Sequence, residues 1–175
     1  MSKVAKFYKV SEERFVSDWI DNFKCSEEEA KLVYDEIKLP KRATTGSAGY
    51  DFYTPISINL KPNEQIKIPT GIRVNMKDDW VLCLFPRSGW GFKFRLQIDN
   101  TIGVIDSDYF YSSNEGHIFV KLTNDTKNNK EFVIEKGVGI IQGIFFPYGI
   151  VEDDDATTTR DGGFGSTNEV KNGNI

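Results

Sequence analysis

Soft ligands are scarce in this chain of 175 residues, which has two cysteines and one histidine. Cys25 and Cys83 stand outside any CxxC pair, and His117 is the single imidazole. That inventory is too small for a zinc cluster and supplies no disulfide framework. Long apolar runs are missing as well. The opening MSKVAKFYKV has no signal-peptide core, and no stretch is long enough to span a bilayer, so a cytoplasmic protein without a membrane partner is expected. Excess basic charge is the third absence. With 22 Lys and Arg against 26 Asp and Glu, and a net charge of -4, the chain lacks the cationic surface of a nucleic-acid coat protein. No nucleic-acid partner is expected, although a local basic site for a small anion remains compatible with this balance. Finally, no GxxxxGK[ST] run is present, which excludes a P-loop.

The size suits one domain with a real core. After a first strand within residues 1–10, apolar residues recur at helical spacing: Phe15, Val16, Trp19, Ile20 and Phe23, then Ala30, Val33, Tyr34 and Ile37. Ser26 followed by Glu29 has the form of a capping box and opens the second run. The pattern predicts a helical insertion over 11–38, two short helices joined near Lys24 and Cys25. Their stripes must be covered by the domain body or by a protein partner that takes Trp19 and Phe23.

Beyond Leu39 and Pro40 the texture becomes short β-branched and aromatic runs punctuated by Pro, Gly, Asn and Asp, among them ISINL, QIKIPTGIRVNM, WVLCLFP, HIFVKLTN and GIIQGIFFPYGIV. Residues 39–151 therefore read as an all-β unit, an antiparallel β-barrel or distorted jelly roll, followed by a flexible C-terminal arm over 152–175. Cys83, inside WVLCLFP, reads as a small buried hydrophobe. The acidic run Glu152–Asp155 reads as a solvated linker, because side chains alternate on an extended segment and chelate poorly.

Five stretches are unlike structural strand sequence: AGYD with Asp51, PRSG with Arg87, Ser88 and Gly89, NTIGVIDSDY with Asn100, Gly103, Ile105, Asp106 and Tyr109, GIIQG with Gln142, and RDGGFGST with Arg160, Phe164, Gly165, Ser166 and Thr167. Singly, each has a plain structural reading; PRSG, for example, suits a turn with Pro placed for it. Jointly they form an inventory for nucleotide polyphosphate hydrolysis. Glycine-rich backbone can surround phosphate oxygens, arginines add charge-assisted contacts, and an aspartate can hold a water. In this order the five stretches resemble the motifs of the trimeric dUTP pyrophosphatases (dUTPases), over about Leu39 to Asn168.

The resemblance implies cleavage of dUTP to dUMP and pyrophosphate, lowering dUTP and supplying dUMP for thymidylate synthesis. Asp106 corresponds to the aspartate that activates the attacking water. Asn100 and the backbone of the hairpin with Gly103 and Ile105 correspond to the uracil reader. Tyr109 corresponds to the tyrosine that packs on deoxyribose and rejects UTP. Ser88 and Gly89 match phosphate donors, with Arg87 touching phosphate or bracing the site. Mg²⁺ is implied as the cofactor, carried by substrate phosphates and waters, with Asp51 and Gln142 near those waters. Arg160, Phe164, Gly165, Ser166 and Thr167 match an arm that closes over the nucleotide, Phe164 stacking on uracil. A homotrimer with active sites between subunits is implied too.

The chain departs from the family pattern in places. Residues 110–115 lengthen the loop after Tyr109 and place Phe110 and Tyr111 near the site mouth, where the loop either retunes substrate entry or bulges outward, the second being expected. Val138 and Gly139 stand where an acid and a base are common, Asn168 replaces a final Gly, and His117 reads as surface decoration. A related deaminase acting on dCTP fits less well, since the H-x-E and P-C-x-x-C signature is absent. A nucleotide-sensing module acting on a partner through the helical insertion is the reading from another class.

Overall fold

The computed structural model describes residues 2–158. In chain order it places β1 at Ala5–Lys9, α1 at Glu12–Phe23, α2 at Glu27–Asp35, β2 at Lys41–Arg42, β3 at Tyr50–Tyr53 and β4 at Ile58–Leu60. There follow β5 at Gln65–Pro69, β6 at Ile72–Met76, β7 at Trp80–Pro86, α3 at Ser88–Phe94, β8 at Leu96–Ile98 and β9 at Gly103–Ile105. A 3₁₀ turn spans Ser107–Tyr111, and β10 (Phe119–Asn124), β11 (Phe132–Ile134) and β12 (Gly139–Pro147) complete the order. The described strand pairings are antiparallel and form a five-stranded sheet β2-β3-β12-β7-β9, a three-stranded sheet β5-β10-β8 and the pairs β1-β6 and β4-β11. This is the jelly-roll-like, mostly antiparallel architecture expected from the run of short strands. Among the described residues no helix is long and apolar enough to cross a membrane.

Alternation along the strands builds the core. Leu82 and Leu84 of β7, Phe52 of β3 and Ile141 of β12 point inward with Ile68, Leu96, Leu122 and Phe132 from the other sheets. Each such side chain contributes roughly 2 kcal/mol by leaving water, less whatever the unfolded chain already buries.

The helical residues belong to this core. Ser11 caps α1 by accepting from the Arg14 N–H, and Lys24 ends it in the left-handed conformation (φ 56°). Ser26 and Glu29 form the reciprocal capping box of α2 that the spacing suggested. Phe15 and Ala30 are fully buried and Trp19 is only 3% exposed, its ring between Phe15 and Phe23. The barrel covers the apolar stripe of α1, so Trp19 is not available to a protein partner. Gly71, between β5 and β6, makes this seating possible. Its φ is +72°, and a Cβ there would lie 2.3 Å from Ile37 Cδ1 and 3.2 Å from Phe15.

Three local expectations are corrected. PRSGWGFKF is not a simple turn but leads into the helix α3. Residues 110–115 do not bulge outward as a whole: Ser112 is buried and Phe110 lies beneath the Arg73 guanidinium, 3.7 Å from its ring centroid, although Tyr111 is exposed. His117 is not surface decoration. It is fully buried, with Nδ1 2.6 Å from Asp18 Oδ2 of α1 and Nε2 accepting from the Gly71 N–H at 2.8 Å. That second bond fixes the tautomer: the proton sits on Nδ1 and is donated to Asp18.

Burial depresses the His117 pKa, with the Asp18 hydrogen bond and charge opposing, Arg14 assisting and Glu115 opposing. Only the neutral ring can accept from Gly71. Its contribution to stability is therefore complete above the unfolded value of about 6.5 and is lost as pH falls through the depressed folded pKa. Denaturant titrations of the wild type should show stability declining below about pH 6.5. His117→Gln should cost about 2 kcal/mol at pH 7.5 and remove this group's share of the pH dependence.

Candidate functional site

Among the described residues, Asp51, Arg87 and Gln142 lie at one end of a sheet face and Asp106 at the other, with β9 running between the two ends. The register of the five-stranded sheet decides this. Asp51, Gln142 and Phe85 lie side by side across β3, β12 and β7. The next outward row is Ile144, Cys83 and Val104, and the following row begins with Phe146 and Val81. Continuing the pairing of Leu82 with Ile105, Asp106 falls opposite Val81, and its extended backbone (φ -79°, ψ 159°) keeps it on the outward face. Phe85 and Val81 of β7 are four residue steps apart, about 13 Å along the strand. One chain therefore does not bring Asp106 together with Asp51, Arg87 and Gln142.

At the first end, β7 delivers Arg87 into the N-cap position of α3. Its Nε is 3.1 Å from Asp51 Oδ1, and its Nη1 donates to the Gly139 carbonyl at 3.1 Å. This half-buried pair holds the guanidinium in one orientation, so Arg87 braces this corner. Ser88 and Gly89 are exposed in the first turn of α3, where amides lack intrahelical acceptors. Gln142 donates from Nε2 to the Pro86 carbonyl at 3.2 Å. Its Oε1 occupies space that a side chain at position 49 would claim, since a Cβ on Gly49 would lie 2.5 Å away.

Two participants were not legible in the sequence. Gly139 lies so close that a Cβ would stand 2.9 Å from Arg87 Nη1 and 3.3 Å from the Asp51 Cβ. Trp90 donates its indole N–H to the same Gly139 carbonyl at 2.8 Å and packs edge-on against Phe132. A tryptophan flanked by glycines in SGWGF is the signal that could have pointed to it.

Strand β9 runs antiparallel beside β7, so the Asn100 turn enters at the Phe85 end, with Gly103 opposite Leu84, while Asp106 leaves at the Val81 end. Asn100 is exposed, its carbonyl accepting from Ile102 N–H at 2.7 Å, and Thr101 is left-handed (φ 68°). Gly103 is buried against Leu84, with 3.1 Å left for any Cβ, and Ile105 is half-buried. Tyr109 is 6% exposed in the wall beyond Asp106, its hydroxyl donating to the His117 carbonyl at 2.8 Å. Between the Arg87 corner and Asp106 runs an apolar strip that includes Val104, 58% exposed, and Phe146, 41% exposed. Cys83 lies half-buried in that strip rather than in the core. Burial, and after it the charge of Asp106, push its thiol pKa up, which keeps it protonated and unreactive near neutral pH.

Among the described residues no group of three or more His, Cys, Asp or Glu side chains is placed to hold a metal ion. Arg160, Phe164, Gly165, Ser166 and Thr167 lie outside the described residues.

The dUTPase family model matches residues 35–168. The chain belongs to the dUTPase family. It is 41% identical over 134 residues to the deoxyuridine 5'-triphosphate nucleotidohydrolase of Lactococcus lactis, an alignment covering 75% of this chain and 88% of that protein. The enzyme of the same name from Escherichia coli O45:K1 is 36% identical over 141 residues, covering 76% and 89%. Among solved structures, dUTPase from Streptococcus mutans matches with a TM-score of 0.61 and 32% identity, over 83% of this chain and 98% of that one. A mutant dUTPase from phage phi11 of S. aureus, described with a structural Mg(II) ion, shares the fold at TM-score 0.59 and 18% identity, over 89% and 98%.

In this dUTPase the contact between Gly139 and Arg87 is a sensitive point. Gly139→Ala should push the guanidinium off Asp51 and weaken binding of a non-hydrolysable dUTP analogue about tenfold by calorimetry, equivalent to about 1.4 kcal/mol. Its melting temperature should move by less than about 4 °C.

Proposed function

We propose that this dUTPase hydrolyses dUTP to dUMP and pyrophosphate in sites assembled between copies of the chain. One observation carries the reading. The phosphate-handling corner around Arg87 and the Asp106 turn lie on one outward face, separated by an exposed apolar strip. Packing such faces together buries Val104 and Phe146 and sets the Asp106 end of one copy against the Arg87 end of another. A homotrimer closes such a contact without leaving an open face.

In that site the exposed amides of Ser88 and Gly89 meet phosphate oxygens, and Arg87, held by Asp51, offers positive charge without reorganising. The hairpin from Asn100 to Ile105 presents backbone groups to uracil, and Tyr109 forms the wall beside the sugar. Asp106 holds a water in line with the α-phosphorus and takes its proton as the new P–O bond forms. The bond from that phosphorus to the bridging oxygen breaks, and pyrophosphate leaves with the electron pair. Positioning and charge neutralisation do most of the work, because phosphoanhydrides resist attack mainly through their own negative charge. Bound Mg²⁺ supplies further neutralisation. The donor set suits a hydrated ion carried by the substrate, since the Asp51 carboxylate and the Gln142 Oε1 are hard oxygens. Arg160, Ser166 and Thr167 are assigned to the γ-phosphate, Gly165 to the bend beside them and Phe164 to the uracil face.

Pyrophosphate release with Mg²⁺ should be seen from dUTP and not from dTTP, UTP or dCTP. Asp106→Asn should lower kcat about a thousandfold, within the range expected for loss of a general base, and a chain ending before Arg160 should also be strongly impaired. Tight dUTP binding without pyrophosphate would instead favour a sensor. Sites shared between copies make a second expectation. Mixing inactive Arg87→Ala chains with inactive Asp106→Asn chains, then refolding them together, should restore a measurable fraction of activity. Sites confined to one chain would give none.

A further inference from the structure

The two stretches outside the family pattern, 11–37 and 110–115, are fastened to each other. Glu115 receives two hydrogen bonds from Ser11, the N-cap of α1: backbone N–H to Oε2 at 2.8 Å and hydroxyl to Oε1 at 2.6 Å. Arg73 of β6 lies 3.6 Å from the same carboxylate. Arg73 also donates to the Phe110 carbonyl at 2.6 Å and covers the Phe110 ring. Asn114 donates to the Tyr109 hydroxyl at 2.8 Å, which itself donates to the His117 carbonyl. The His117 ring in turn is held by Asp18, one α1 turn and more beyond Ser11. Thus α1 grips the segment that follows Asp106 at two points, through Ser11 to Glu115 and through Asp18 to His117.

Glu115 pays a conformational cost to be there. Its φ is +60°, in the left-handed region that β-carbon sterics disfavour. Glycine or asparagine would suit that backbone better, so the side chain rather than the turn accounts for a glutamate at this position. Burial raises its pKa, but the Ser11 hydrogen bonds and the Arg73 and Arg14 charges outweigh this and lower it, keeping the carboxylate ionised at neutral pH.

We propose that Glu115 is a positioning residue for the reaction, tying the turn that carries Asp106 and Tyr109 to the N-cap of α1. The helical insertion then serves the active site from behind. It restricts the 3₁₀ turn so that Tyr109 keeps its place beside the sugar and Asp106 its line to the α-phosphorus. This inference rests on the functional reading above.

Glu115→Gly separates this role from a merely structural one, because it relieves the backbone while deleting the tether. With wild-type turnover of dUTP measured first, the variant should melt within about 4 °C of wild type, a small shift for a domain of this size. Its kcat for dUTP should fall about tenfold with KM changed less than threefold, and its preference for dUTP over UTP should fall by a similar factor, as expected for a misplaced reacting group. Amide hydrogen exchange across 106–117 should quicken. Glu115→Asn, which also tolerates the left-handed backbone but is too short to reach both Ser11 groups, should behave alike. Glu29→Ala breaks the comparable capping box of α2 and should leave kcat and the dUTP-to-UTP ratio unchanged. A Glu115→Gly protein with wild-type kcat and ratio would overturn the proposal, as would an equal loss in Glu29→Ala. Absence of wild-type turnover would fail the functional reading instead, and is distinguishable because exchange across 106–117 is read without substrate.

Discussion

Strand β7 is hydrogen-bonded on both sides, to β12 along its whole length and to β9 over three residues, and those two registers set Gln142 beside the Arg87 corner and Asp106 at the other end of the same outward face. Because side chains alternate with period two, Leu82 and Leu84 go to the core while Val81, Cys83 and Phe85 go outward with Gln142, Ile144, Phe146 and Val104. A slip of β7 by one residue against its neighbours would turn Leu82 and Leu84 to the outward face and Val81, Cys83 and Phe85 to the core. The inward leucines specify the register through burial, and the polar groups of the outward face inherit their positions from it.

The same logic keeps Asp106 apart from the Arg87 corner. A separation of four residue steps along β7 is too long for Asp106 to meet Arg87 in one chain, and the intervening outward surface is apolar. Exposed Val104 and Phe146 cost free energy in water, so their arrangement favours association. On the reading proposed above, oligomer contacts and active-site assembly would draw on one surface. The electrostatics of the Arg87 corner are prepared in the single chain, since Asp51 and the Gly139 carbonyl orient the guanidinium before any ligand arrives.

The helical pair is the part of the molecule most dependent on distant neighbours. α1 buries Phe15 and Trp19 over the β5–β6 turn, where Gly71 leaves room that no side chain could share. His117 completes the seating by joining Asp18, ninety-nine residues away in the chain, to the Gly71 amide. A neutral imidazole can satisfy both a carboxylate and an N–H donor, whereas an apolar residue would leave the Gly71 N–H without its acceptor and Asp18 with the Arg14 ion pair alone.

Much of this was readable from local pattern. The 3.6-residue stripe of Phe15, Val16 and Trp19, the Ser26 and Glu29 box and the alternating strands are short-range features, with causes in backbone geometry and residue chemistry that act within a few positions. The five ordered motifs identified the family because they carry the chemistry in their own residues. What the sequence did not reveal depends on pairs far apart. His117 looks like an isolated polar residue until Asp18 and Gly71 are brought to it. Residues 110–115 look like a loose loop until Arg73 and Ser11 hold them. Gly139 looks like one more strand glycine until Arg87 and Trp90 converge on its carbonyl. Burial and hydrogen bonding between such residues are properties of the folded arrangement, and only the tertiary structure decided them.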